Sequence, residues 1–131
     1  MRNARRQRIA NSLRWIAVAL CLMPALVIAD ERILSWRSDI RVRADSGVEV
    51  VETLTVQGEG NRIRRGIFRD FPTVYVDRQG RRVVTGFELV AVTRDMHPEL
   101  SRIERRPNGV RIYIGDADTF LPPGVYTYRI T

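Results

Sequence analysis

Beyond residue 30, no window of the chain keeps its apolar side chains at helical spacing for three turns. Short alternating runs bounded by turn residues recur instead, and that pattern predicts an all-β fold. The run 33–44 sets Ile40, Val42 and Ala44 against Arg41 and Arg43. Asp45-Ser46-Gly47 reads as a tight turn, with the glycine free to take positive φ. The run 48–56 then turns Val48, Val50, Leu54 and Val56 to one side, and Glu52 falls on that same inward register. A carboxylate placed there needs a partner. Residues 57–61 form a polar loop.

Further strands are expected at 74–76, through Val83 and Val84, at 87–93, 100–104, 110–114 and 125–131. The turns between them are Asp77–Gly80, Asp95–Pro98 and the hairpin signal Pro107-Asn108-Gly109. Turns spaced about 8–12 residues apart suit an antiparallel β-sandwich of about seven strands, immunoglobulin-like in architecture. The chain stops inside a strand pattern, so its 131 residues read as the front part of a longer protein.

The first 29 residues follow a different logic. A basic stretch, MRNARRQRIANSLR, precedes the uncharged apolar run WIAVALCLMPALVIA, and Ala29 stands before Asp30 as at a cleavage site. This layout is that of a signal peptide. A helix of residues 15–29 spans about 22 Å at 1.5 Å per residue, short of the roughly 30 Å hydrocarbon core. A retained signal anchor is the alternative. Cys21, the chain's only cysteine, belongs to the apolar run, since Leu20 before it is too large for a lipid-attachment box. The domain at 30–131 therefore has neither a disulfide framework nor a thiol nucleophile.

The formal charge of +7 is unevenly placed. Five arginines and no acid precede residue 30, which leaves 17 arginines against 15 acids in residues 30–131. Nucleic-acid binding does not follow from so small an excess. All the basic residues are Arg, a bias that G+C-rich coding also produces.

The stretch IRRGIFRDFPT, residues 63–73, breaks the alternation at Gly66, as a β-bulge does. Past the break, Arg69 and Phe71 fall on one side and Phe68 and Asp70 on the other, and Pro72 marks an edge or a strand end. The structural expectation is a bulged edge strand with Phe68 or Phe71 in the core and Arg69 or Arg65 paired to Asp70 or Glu52. The functional expectation is that Arg64, Arg65 and Arg69 form a binding cluster offering forked donors to carboxylate or phosphate. The partners would be anionic lipid, glycan or an acidic protein.

Other chemistry is sparse. His97 is the only histidine, which excludes a multi-histidine metal site, and beside Pro98 it reads as decorating a turn. Asp116 and Asp118 would lie roughly 6–7 Å apart on an extended segment. That spacing could serve glycoside hydrolysis or part of a calcium site, but no further ligand follows them. The simpler reading has both accepting backbone N–H groups in a turn. No cofactor or metal is called for.

The ordered segments ERILSWRSDIRVRADSGVEVVETLTV, IRRGIFRDFPTVY, FELVAVTRDMHPE and NGVRIYIGDADTFLPPGVYTYRIT cover nearly all of residues 31–131. As a set they resemble the extracytoplasmic N-terminal domain of the YciQ-like family of uncharacterised bacterial predicted membrane proteins. The resemblance implies a signal sequence, an exported β-sandwich-like domain and transmembrane helices near the C-terminus of the full protein. It supplies no catalytic residues. Met96-His97 departs from it, since a Gly-containing turn is more usual there. The expected role is a non-catalytic interaction domain of a membrane protein, on the extracytoplasmic side of the cell membrane. The alternatives are a ligand-binding sensor and a secreted glycan-processing enzyme using Asp116 and Asp118.

Overall fold

The computed structural model describes residues 30–131. The expected signal segment at 1–29 lies outside the described residues. Among those described, no helix is long and apolar enough to cross a membrane. The fold is all-β, in antiparallel sheets that do not close into a barrel.

The strands in chain order are β1 (Arg32–Val42), β2 (Val48–Gly58), β3 (Ile67–Pro72), β4 (Val74–Val76), β5 (Arg82–Val84), β6 (Val92–Arg94), β7 (His97–Pro98), β8 (Ser101–Arg106), β9 (Gly109–Ile114) and β10 (Gly124–Ile130). They form a five-stranded sheet in the order β1-β2-β10-β6-β7, a three-stranded sheet β3-β9-β8 and the small hairpin β4-β5. The excess over seven strands comes from short pieces such as β4, β5 and β7.

Alternation sets which side chains meet. On β2, Glu52, Leu54, Val56 and Gly58 are buried and the residues between them are not. On β10, Tyr128 and Ile130 are buried. These join Val92 of β6 and Ile112 and Ile114 of β9 in one apolar cluster fed by both larger sheets. Full burial of side chains of this size is worth about 1.5–3 kcal/mol each. Ile63, Ile67, Phe71, Leu89 and Tyr126 pack around the cluster.

Several local expectations are corrected. The turn after β1 takes its positive φ at Ser46 (66°), not at Gly47. Asp45 Oδ1 accepts the Gly47 N–H at 3.0 Å and folds the loop without it. The expected strand at 87–93 is ordered as a ladder only over Val92–Arg94. Among the described residues, those just before it find Thr131: Val90 N–H donates to the Thr131 carbonyl at 2.8 Å, and Thr131 N–H to the Ala91 carbonyl at 2.9 Å. Asp95-Met96 is the two-residue loop of a β6–β7 hairpin, with φ of 50° and 67°. Positive φ at both positions is the type I′ geometry that matches strand twist.

Around Gly66 the break is real but is not a bulge inside a strand. Residues before Gly66 bend, β3 begins at Ile67, and its pairing with β9 then runs without a shift to Pro72. Gly66 has φ of 134°, and a Cβ there would sit 1.8 Å from the Ile114 carbonyl oxygen. Gly115 is its counterpart, where a Cβ would sit 1.9 Å from the Arg65 oxygen. Two glycines thus let the chain before β3 lie against the chain after β9. As expected, β3 is an edge strand, ends at Pro72 and turns Arg69 and Phe71 inward.

Candidate functional site

The loop between β2 and β3 is held by one carboxylate. Glu31, just before β1, accepts backbone N–H groups from Glu59 (3.0 Å), Asn61 (2.8 Å), Arg62 and Ile63 (3.2 Å). Burial works against its charge, but the N–H groups of Arg62, Asn61, Glu59 and Ile63 outweigh it and hold the carboxyl below its ordinary range. From inside, Ile63 packs against the core. At the far end, Leu121 N–H donates to the Arg64 carbonyl at 2.8 Å. The backbone carrying Arg62, Arg64 and Arg65 is therefore fixed on three sides while their side chains stay exposed.

Phe120 backs two of those side chains. The Arg64 and Arg65 guanidinium carbons lie 5.1 and 4.2 Å from its ring centroid, within cation–π range. Among the described residues, none of Arg62, Arg64 and Arg65 has a carboxylate within 4.0 Å. All three border an open cavity of about 580 Å³. Its other wall holds Arg102 of β8 and Tyr113 of β9. Arg102 stacks 4.5 Å from the Tyr113 centroid, with Glu104 3.7 Å away. Four arginines thus line one hollow, Arg102 among them shared with Glu104. Bidentate capture of carboxylate or phosphate is what such donors do well.

The acid on the cavity wall is Asp116. Its Oδ1 accepts the Asp118 N–H at 2.9 Å and its Oδ2 the Thr119 hydroxyl at 2.8 Å. Those two bonds, the backbone one foremost, hold its carboxyl below the ordinary range. A general acid for glycoside hydrolysis needs the opposite shift. Asp118 is exposed and contributes its backbone to the turn. Among the described residues, no three or more His, Cys, Asp and Glu gather as metal ligands.

Arg69 lies apart from the cavity. Its Nε and Nη2 donate to the two Glu52 oxygens at 2.7 Å each, joining β3 to β2 across the two larger sheets. Glu52 is 5% exposed, and the partner its inward register called for is this guanidinium. The Trp36 and Phe71 rings flank Arg69 at 4.9 and 5.0 Å. Of the three arginines singled out by sequence, the structure thus brings Arg64 and Arg65 together and commits Arg69 to the interior. Arg62, Arg102 and the anchor Glu31 escaped notice as site residues. Arg62 lay beside the motif and its proximity was a usable signal, whereas nothing local ties Arg102 or Glu31 to it.

Residues 32–131 match the family described as "Predicted membrane protein (DUF2207) N-terminal domain". The chain is also 28% identical over 101 residues to the uncharacterized protein YciQ of Escherichia coli (strain K12). That stretch is 77% of this chain but 16% of the relative, so the chain spans a small part of that protein's length. No solved structure matches.

Proposed function

We propose that this chain, which belongs to the predicted membrane protein (DUF2207) family through that family's N-terminal domain, is a non-catalytic binding domain held at the membrane. In this reading residues 1–29 are the signal segment, and helices in the remainder of the full protein cross the membrane. Residues 30–131 stack their two larger sheets as a sandwich on the extracytoplasmic side. The cavity beside Gly66 receives the carboxylate or phosphate groups of an anionic envelope component. The observation that carries this is the convergence of Arg62, Arg64 and Arg65, without carboxylate partners among the described residues, on a hollow backed by Phe120 and Tyr113. The hydrogen bonds that keep Asp116 ionised count against it as the general acid of a hydrolase. The cavity's volume also falls in the range of small-ligand sites, so a small anionic ligand is the second reading.

The test is binding of the full chain to vesicles containing an anionic phospholipid, to zwitterionic vesicles and to a uronic-acid polysaccharide. Hydrogen bonds to a charged group are worth about 1.5–3 kcal/mol each, and 1.4 kcal/mol is tenfold in affinity. Arg64→Ala with Arg65→Ala should therefore weaken binding to the preferred anion at least about tenfold and leave the fold intact. Equal binding by the variant, or equal binding to zwitterionic vesicles, counts against the proposal.

A further inference from the structure

Among the described residues, β1 lies at the end of the five-stranded sheet, and its 11-residue span pairs only with β2. Its other edge is a row of backbone donors and acceptors suited to one more strand. Proteins commonly blunt such edges by brevity, proline, charge or a bulge; β1 is long and has no proline, its charges are of both signs, and its one register shift lies near its start, between Ile33 and Ser35. Its apolar residues are also uncovered. Trp36, Ile40 and Val42 are 58%, 65% and 75% exposed. They pair with Leu54, Val50 and Val48 of β2, so they extend the core-facing side of the sheet.

We propose that β1 pairs antiparallel with β1 of a second copy of this chain, about a two-fold axis through Ser38. In that register Trp36 lies opposite Ile40 of the other copy, and Arg37 lies opposite its Asp39, each contact occurring twice. Residues directly opposed across antiparallel strands have Cβ atoms about 4.5–5.5 Å apart, close enough for both pairings. Charge argues against three neighbouring registers, and the apolar pairing of Trp36 with Ile40 favours this one. Centring on Arg37 or on Asp39 sets like charges face to face, and centring on Ile40 sets Arg37 against Arg43. Centring on Ser38 avoids all three and keeps both apolar faces on one side. Within one copy, Arg37 already donates to Asp39 at 2.8 Å in an exposed pair, which is free to exchange for the intermolecular one.

The strand pairing can be read by disulfide trapping in the membranes of cells making the full chain, with Cys21→Ser removing the native cysteine. Ser38→Cys should yield a disulfide-linked dimer on mild oxidation, since opposed Cα atoms at about 4.5–5.5 Å suit the bond. Arg41→Cys alone should not, because its two copies would sit about 20 Å apart at 3.4 Å per residue. Arg37→Asp added to Ser38→Cys should abolish the linked dimer, and Arg37→Asp with Asp39→Arg together should restore it. The proposal is overturned if Ser38→Cys stays monomeric, if Arg41→Cys links equally well, or if the charge reversals make no difference.

Discussion

Met96 is an odd side chain for its place. It sits in the left-handed region at φ 67° and is 93% exposed, so nothing it touches offsets the backbone cost. An L-residue in that region costs roughly 1–2 kcal/mol, and type I′ turns favour Asp-Gly, where Asp95 already stands. Met96→Gly should raise the denaturation midpoint, by up to about 1 kcal/mol once the added freedom of the unfolded chain is counted. An unchanged or lower midpoint would show that the turn is not under strain. Tyr128 is the other residue at odds with its setting. Its ring is fully buried, its hydroxyl has no hydrogen-bond partner among the described residues, and burial pushes its pKa up to about 12. A folded-state pKa above the unfolded value near 10 means that the unfolded chain ionises first. Stability from this group is thus whole below pH 10 and falls as pH rises toward 12. Tyr128→Phe should be neutral or stabilising at pH 7, since it removes an orphaned polar group, and should flatten the alkaline loss. Urea melts of both proteins from pH 7 to pH 11 would check it.

At the scale of elements, β3 puts both kinds of side chain on trial. Phe71 packs against the core and lies 5.6 Å from the Phe87 ring. Phe68 is 56% exposed and rests against Arg111 on the outer face. Phe71→Ala should therefore cost about 2–3 kcal/mol, somewhat less than a fully buried Phe. Phe68→Ala, Arg64→Ala and Arg65→Ala should each cost under about 1. Denaturant midpoints of the four variants decide it, and unfolding by either arginine variant would mean that those side chains hold the domain together. Much of this was legible in advance. Alternation placed Arg69 with Phe71 and demanded a partner for Glu52, because register is a local property of the chain. What stayed hidden was of two kinds. The positive φ at Ser46 rather than Gly47 depends on Asp45 folding the loop, a competition that residue type alone does not resolve. The shortening of the 87–93 strand depends on which distant residues come alongside it, and among the described residues Thr131 does so.

For the whole molecule, the weak point of any argument from charge is that residues 30–131 hold 17 arginines and 15 acids. So small an excess gives little long-range attraction. The proposed anion binding must therefore come from local arrangement. Most arginines with an acid nearby are spoken for, such as Arg69 with Glu52, Arg111 with Asp70 and Arg81 with Asp77. Arg62, Arg64 and Arg65 differ because the backbone between Glu31 and Phe120 holds them beside a hollow with no ion-pair partner among the described residues, the one acid on that wall, Asp116, being bonded within its own turn. The glycine pair Gly66 and Gly115 lets that hollow form, yet neither residue would touch a ligand through a side chain. The most direct test is to follow the arginine Nε–H signals of the full chain by NMR while titrating glucuronate and then inorganic phosphate. The signals of Arg62, Arg64, Arg65 and Arg102 should shift together and saturate, while those of exposed arginines elsewhere, such as Arg37 and Arg78, drift weakly or stay put. Uniform, unsaturating shifts across all of them would contradict a built anion site.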